Sequence, residues 1–281
     1  MARKSSDFNP DAFSRLMLII AAALLALLVG LTIANIAARI PNEDETDEFG
    51  DLLDDPLYDE EWNTTEDGRP RWDGVTLEDT DDAGIEYQDS LVFVGDSLTA
   101  NLINKGVLTE GTNTRQVWRT ESNLFNLNAE VTSTQIIFPG TGEKLTVAEA
   151  AREAKPAVLI ITLGADWGVS VLSEEEFKSC YDKLVKAVQK ASPRTTVVLQ
   201  SIFPVTAGCV SLDNSRIDSA NKWVKEVALA NECYYLDTQS VLKDENNCLA
   251  AEYCTSSDGM HLEKEAYEVI LAYIRTHAVP D

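Results

Sequence analysis

The sequence contains few of the residues from which metal centres and nucleic-acid interfaces are built. It has only two histidines, and its five cysteines show no CxxC spacing, so a zinc site of Cys and His ligands is poorly supported. We expect no metal and no cofactor. Lys and Arg number 23 against 47 Asp and Glu, which gives a formal net charge of -24. A polyanion such as nucleic acid is therefore not expected as a partner.

The cysteine count is odd, which predicts at least one free thiol if the protein faces an oxidising space. Cys248 and Cys254 lie close enough in sequence to form a disulfide, although spacing alone does not establish their geometry.

Residues 16–38 carry no charge and form a run long enough to cross the hydrocarbon core of a bilayer. Arg3, Lys4 and Arg15 precede the run, and the small-x-small cleavage pattern of a secretory signal peptide fits poorly at its end. We therefore predict an uncleaved transmembrane helix. Positive charge before it and acidic sequence after it place residues 1–15 in the cytoplasm and the remainder outside the cell.

Residues 39–87 are predicted to form an acidic, disordered linker. Residues 42–84 hold 18 Asp and Glu against two arginines. Such a composition cannot bury enough apolar surface to offset the entropy lost on ordering. Repulsion among the carboxylates would keep the linker extended and hold the following domain away from an anionic membrane surface.

Residues 88–281 are predicted to form one folded domain, because short apolar runs alternate there with helical patterns. Thr146 and Ser173 are each followed three residues later by Glu, which is the spacing of a capping box at a helix start. This alternation indicates a parallel sheet covered by helices. The predicted strands cover residues 91–94, 158–163, 195–199 and 234–236, and a closing helix covers residues 266–274.

Candidate site residues follow the predicted strands, because ligands bind beyond the carboxyl ends of the strands in open parallel sheets. Ser97 follows the first strand, where a strand-to-helix turn exposes the hydroxyl and places the serine amide at a helix amino terminus. A serine needs a base to become nucleophilic, and His261 is the better candidate of the two histidines. Asp258 can orient and stabilise that imidazole. The alternative is that these residues only cap helices.

Two segments carry a family resemblance. Phe93-Val94-Gly95-Asp96-Ser97-Leu98-Thr99 and Asp258-Gly259-Met260-His261-Leu262 resemble motifs of the SGNH/GDSL hydrolases, and a central strand ends in Leu163-Gly164, as the family's third block does. The resemblance covers roughly residues 88–277. It implies a flavodoxin-like three-layer α/β/α sandwich with a parallel sheet. It also implies a Ser-His-Asp triad of Ser97, His261 and Asp258, and ester hydrolysis through an acyl-enzyme without metal or cofactor.

The predicted oxyanion and substrate pocket consists of Ser97, Gly164, Asp166 and Trp167. The family has Asn at the position of Asp166, where the amide donates to the oxyanion, whereas an ionised Asp only accepts hydrogen bonds. A protonated Asp166 could donate, which would favour activity at acidic pH. The family's second-block glycine has no counterpart, and residues 119–123 are the plausible source of that amide. Trp167 could stabilise its loop or stack on a sugar.

We therefore expect an extracytoplasmic serine esterase of a bacterial type. Its substrates would be small acyl esters, such as O-acetyl groups of cell-surface or environmental polysaccharides. One alternative is a catalytically impaired domain of the same fold that binds a glycan or a surface partner. The other is an esterase of the lysophospholipase or lipase type, which is less favoured because the sequence shows no apolar lid or long hydrophobic groove.

Overall fold

The computed structural model describes residues 74–280. The predicted transmembrane helix at residues 16–38 and most of the predicted linker lie outside the described residues. Within the described range, no helix is both long and apolar enough to cross a membrane.

A five-stranded parallel sheet forms the centre of the domain, which confirms the predicted sheet. Its strands are β1 (Leu91–Gly95), β2 (Val117–Trp118), β5 (Val158–Thr162), β6 (Thr196–Gln200) and β7 (Tyr234–Leu236). Their spatial order is β2-β1-β5-β6-β7. A separate antiparallel hairpin consists of β3 (Gln135–Ile137) and β4 (Lys144–Thr146). Every residue of β5 is buried, as expected for a central strand covered on both faces.

Within residues 74–280, six α-helices form the two outer layers. They are α1 (Gly84–Ser90), α2 (Ser97–Lys105), α3 (Val147–Ala154), α4 (Glu174–Ala191), α5 (Asn214–Ala230) and α6 (Lys264–Arg275). One layer contains α3, α4 and α5, which pack side by side, and α1 packs on α6 in the other. The Tyr267 hydroxyl of α6 donates to the Leu98 carbonyl at 2.7 Å and so joins α6 to α2. The result is the three-layer α/β/α sandwich of the SGNH fold.

The predicted capping boxes begin α3 and α4. Thr146 accepts from the Glu149 amide and Ser173 accepts from the Glu176 amide, and each Glu side chain accepts from the cap amide in return. Because these bonds satisfy amides that have no partner inside the helix, they place the helix starts as the sequence predicts.

The folded domain begins earlier than residue 88, so the carboxyl end of the predicted linker is wrong. Residues 74–87 pack on the domain: the Tyr235 amide donates to the Val75 carbonyl at 2.8 Å, and the Leu77 amide donates to the Tyr235 carbonyl at 2.9 Å. Leu77 is buried. This segment covers the edge of β7 and pairs with its backbone groups. These hydrogen bonds and the burial of apolar side chains stabilise the segment despite its acidic composition.

All five cysteines are unpaired thiols, including Cys248 and Cys254, for which a disulfide was considered.

Candidate active site

Ser97 is the first residue of α2, directly after the turn that leaves β1. The Asp96 backbone is extended, and its carboxylate accepts from the Leu98 amide at 3.2 Å, which caps the helix. A Cβ at Gly95 would lie 2.1 Å from Thr99 Oγ1 and 2.3 Å from the Thr162 carbonyl oxygen. Only glycine therefore allows α2 to start this close to β5, and this holds the serine at the carboxyl edge of the sheet.

Asp258 and His261 lie on one turn just before α6. Asp258 Oδ1 accepts from the amides of Met260 and His261 at 2.8 and 3.1 Å, and Asp258 Oδ2 lies 2.7 Å from His261 Nδ1. Desolvation alone would raise the pKa of Asp258, but these donors outweigh it and hold that pKa well below its usual range. The ionised carboxylate therefore accepts from Nδ1–H and leaves Nε2 to face Ser97.

The fold brings residues from the amino-terminal and carboxyl-terminal parts of the domain together at this point. His261 Nε2 lies 3.3 Å from Ser97 Oγ, although the two residues are 164 positions apart in the chain. The distance is at the long end for a hydrogen bond, as is common for a nucleophile and its base before substrate binds. The three residues predicted as a triad thus form one continuous chain of polar contacts.

Asp166 makes the shortest contact with the Ser97 hydroxyl. Ser97 Oγ–H donates to Asp166 Oδ1 at 2.7 Å, and the Ser97 amide donates to Asp166 Oδ2 at 3.0 Å. Since the hydroxyl has one proton, donation to Asp166 leaves none for His261. The serine amide, which is the surest oxyanion donor, is also engaged. The Asp166 carboxylate therefore lies where the negative charge of an acyl-transfer intermediate would develop.

Asp96 lies beneath this carboxylate and is buried. Its second oxygen accepts from the Ala165 amide at 3.0 Å. Burial, followed by the charge of Asp166, raises the pKa of Asp96 to about 7, against the opposing effect of the backbone donors. Burial and the neighbouring Asp166 carboxylate thus disfavour the charged form of Asp96, and negative charge that develops here in a transition state would be disfavoured for the same reasons.

Gly164 and Trp167 flank Asp166 after β5. Gly164 has a φ of +124°, and a Cβ there would lie 2.9 Å from Ile202 Cδ1, so glycine is required at this turn. Trp167 is 45% exposed. Its carbonyl accepts from the Leu127 amide at 3.2 Å, which ties the loop after β5 to the loop after β2.

Residues 119–123 were the plausible source of the second oxyanion amide. Asn123 takes the left-handed conformation with a φ of +62°, which Asn tolerates better than most residues. Its amide donates to the Thr120 carbonyl at 3.1 Å, and its side-chain oxygen accepts from Arg119 at 2.8 Å. Asn123 thus takes a backbone conformation that usually favours glycine, but its amide is already used within the turn.

An apolar rim on this edge of the sheet was not predicted from the sequence. Five large hydrophobic side chains are exposed in the described part of the chain, and four of them lie on loops that follow strands of the main sheet: Leu124, Trp167, Val171 and Val210. They follow β2, β5 and β6, whose carboxyl ends share one edge of the sheet. Isolated apolar residues in polar loops show no periodicity from which an exposed apolar surface could have been predicted.

Among residues 74–280, no group of three or more His, Cys, Asp or Glu side chains is arranged to hold a metal ion. The chemistry available at this site is that of a hydroxyl, an imidazole and carboxylates.

Comparison with known proteins identifies the family. The sequence model of the GDSL-like lipase/acylhydrolase family matches residues 93–269, a range that includes Ser97, Asp166, Asp258 and His261. No curated protein matches the sequence.

The solved structures that this chain is similar to share little sequence with it. A Bacteroides fragilis protein described as a candidate acylhydrolase is 19% identical, with 71% of this chain and 88% of that chain covered and a TM-score of 0.47. A lipase/acylhydrolase from Enterococcus faecalis is 18% identical, with 68% and 98% covered and a TM-score of 0.42. A family two carbohydrate esterase from Clostridium thermocellum is 14% identical, with 66% and 61% covered and a TM-score of 0.43. The assignment rests on the matched sequence, and by that match the chain belongs to the GDSL-like lipase/acylhydrolase family.

Proposed function

We propose that the protein is an extracytoplasmic serine esterase that removes small acyl groups, in particular O-acetyl groups, from polysaccharides. The observation that carries this proposal is the polar chain from Asp258 through His261 to Ser97, with contacts of 2.7 and 3.3 Å. The charge-free run at residues 16–38, with basic residues before it, supports an anchor that leaves the domain outside the cell.

The proposed reaction proceeds through an acyl-enzyme. His261 Nε2 takes the Ser97 hydroxyl proton while Oγ bonds to the ester carbonyl carbon, and the carbonyl oxygen becomes an oxyanion. The intermediate then expels the alcohol, which receives the proton from His261. A water molecule then attacks the acyl-enzyme in the same two steps, which release the carboxylic acid and the free serine. Asp258 stabilises the imidazolium in both halves.

Asp166 must release the Ser97 amide and hydroxyl before this reaction can start. Its carboxylate moves aside when the ester enters. This step makes the enzyme slower than a relative with Asn at this position, because preorganised donors account for much of the rate of acyl transfer.

A serine-directed phosphonate probe tests the proposal. The full-length chain should be labelled somewhere between pH 4 and 8, the Ser97→Ala variant should not, and hydrolysis of 4-nitrophenyl acetate should follow the same pattern. Absence of labelling across that range would overturn the esterase proposal.

The same absence would favour the second candidate, an impaired domain that binds a glycan or a surface partner. The observation in favour of this candidate is the Asp166 carboxylate on both polar groups of Ser97.

A third candidate, a lysophospholipase or lipase-type esterase, is favoured by the four exposed apolar side chains on the catalytic edge. Acyl-chain length separates it from the first. Preference for 4-nitrophenyl palmitate over the acetate would support the lipid substrate, whereas the first proposal expects the reverse.

A further inference from the structure

An open cleft lies beside the candidate active site, between the loop that follows β2 and the β3–β4 hairpin. We call it the hairpin cleft. It has a volume of about 430 Å³, and its lining includes Thr120, Ser122 and Leu124 from the loop and Thr134 and Gln135 from the hairpin side. Its size is within the usual range of small-molecule sites, roughly 300 to 1,000 Å³. The cleft is shallow and open, so it suits a chain laid across it better than an enclosed ligand.

The sheet topology places the hairpin cleft next to Ser97. β2 pairs with β1 in parallel, with Trp118 opposite Val94, so the loop after β2 leaves the sheet beside the turn that carries the serine. The same loop reaches Trp167 through the hydrogen bond from the Leu127 amide. A polymer bound in the cleft would therefore extend toward Asp166 and Trp167, where its ester could meet the serine.

The chemistry of the lining indicates an uncharged, hydroxyl-rich ligand. The lining has two charged side chains, Glu121 and Lys144, and they neutralise each other in an ion pair with Lys144 Nζ 2.7 Å from Glu121 Oε2. The other polar groups are hydroxyls and the Gln135 amide. The Thr120 and Thr134 hydroxyls donate to the carbonyls of Leu124 and Glu130 and so present acceptor lone pairs, whereas the Gln135 amide both donates and accepts, as sugar hydroxyls do. Leu124 is 52% exposed and offers an apolar surface for the C–H face of a sugar ring.

Charged or purely apolar ligands fit this lining less well. The net charge of -24 disfavours a polyanionic polysaccharide. An acyl chain would have to desolvate the hydroxyls and the ion pair without replacing their hydrogen bonds.

We propose that the hairpin cleft is a binding subsite for neutral polysaccharide, which holds one sugar unit of the chain while the ester on another unit reaches Ser97. This inference rests on the proposed esterase function for its role in catalysis, but binding can be measured without turnover.

Calorimetric titration of the full-length Ser97→Ala chain with cellohexaose and xylohexaose tests the binding. At least one of the two should bind. Filling the cleft with Gln135→Trp, or removing half of its ion pair with Lys144→Ala, should weaken binding about tenfold, which corresponds to the loss of one or two good contacts.

Arg194→Ala is the matched control for Lys144→Ala. Arg194 lines a different cleft of about 250 Å³ with Lys155 and Pro193, near the start of β6 and so at the opposite edge of the sheet. This variant should bind as the parent does. If neither hexasaccharide binds, or if Arg194→Ala weakens binding as much as Lys144→Ala, the cleft proposal is wrong.

A kinetic comparison separates failure of this inference from failure of the proposed function. In the active chain, Gln135→Trp should raise KM for acetylated xylohexaose about tenfold and leave kcat/KM for 4-nitrophenyl acetate unchanged, because the small ester does not reach the cleft. Ser97-dependent hydrolysis of the aryl ester with no effect of Gln135→Trp on the oligosaccharide would refute the cleft alone. A selective effect of this variant on 4-nitrophenyl palmitate would show that the cleft binds acyl chains instead.

Discussion

The Ser97 amide and hydroxyl both donate to the carboxylate of Asp166, at 3.0 and 2.7 Å. Where the family's Asn donates a hydrogen bond toward the reacting carbonyl oxygen, this chain presents two acceptor oxygens, so the polarity at the oxyanion position is reversed. The same contact turns the serine proton away from His261. Most of the expected behaviour of this protein follows from that relationship.

Replacing Asp166 with Asn should increase esterase activity. The change restores a donor, removes a charge and frees the Ser97 proton for His261. One oxyanion donor is worth about 10²- to 10³-fold in rate. We therefore expect kcat for 4-nitrophenyl acetate at pH 7 to rise at least tenfold.

Asp166→Ala is the control for this prediction, since it removes the charge without adding a donor and should give a smaller gain. An Asp166→Asn variant that is no faster than the parent at pH 7 would sink the idea that the carboxylate limits catalysis.

Replacing Asp258 with Asn should nearly abolish the activity. An amide in place of the carboxylate turns an N–H toward His261 Nδ1–H or forces the ring to change tautomer, so that Nε2 no longer accepts the serine proton. In a comparable triad this substitution lowers kcat by about 10⁴. We expect a loss of on the order of a thousandfold or more, measured in the faster Asp166→Asn background.

Asp213→Asn serves as the control for Asp258→Asn. Asp213 also caps backbone amides, at the start of α5, but it makes no contact with the triad. An equal loss of kcat in the two variants would mean that the Asp258 effect is one of folding rather than of imidazole orientation.

The stability of the protein should depend on pH through Asp96. Burial and the charge of Asp166 raise the pKa of Asp96 well above its ordinary value, to about 7. Its stabilising contribution is therefore complete below about pH 4 and is lost as pH rises through about 7. Asp166→Asn removes one cause of the raised pKa. The stability advantage of the variant over the parent should therefore increase from pH 5 to pH 8, by on the order of 1 kcal/mol in the free energy of unfolding.

Urea unfolding at pH 5 and pH 8 measures this difference, and Asp258→Asn provides a control. The pKa of Asp258 is lowered, so its stabilising contribution is complete above its unfolded value and declines only in stronger acid. Its loss should cost the same at pH 5 and pH 8. A pH-independent effect of Asp166→Asn would contradict the coupling between the two buried carboxylates.

Replacing Gly95 with Ala should destabilise the fold. The added Cβ would collide with the Thr162 carbonyl, which is backbone and cannot rotate away. Overpacking of this kind costs about 1–3 kcal/mol, and occasionally more. Gly208→Ala is the control, because nothing lies within 4 Å of a Cβ there. Thermal unfolding should show a lower midpoint for Gly95→Ala alone.

Several features of the fold could be predicted because their causes are local. β5 and β6 are continuous apolar runs, and the capping boxes at Thr146 and Ser173 are complete within four residues. In contrast, β2 has two residues and pairs only because β1 lies beside it. The segment at residues 75–77 is ordered only because β7 leaves an edge to cover. The acidic composition predicted a linker there, because composition holds no information about contacts with residues that are distant in sequence.

The amino-acid sequence by itself determined the parallel α/β architecture, the family, and the identity of the side chains at the carboxyl edge of the sheet. Only the tertiary structure decided what those side chains contact. The Ser97 proton has two acceptors within reach, His261 and Asp166, from turns 164 and 69 positions away, and the shorter contact is to Asp166. Such a competition depends on distances of a few tenths of an ångström between separate turns. These are set by the packing of α2, β5 and α6, not by any local pattern of residues.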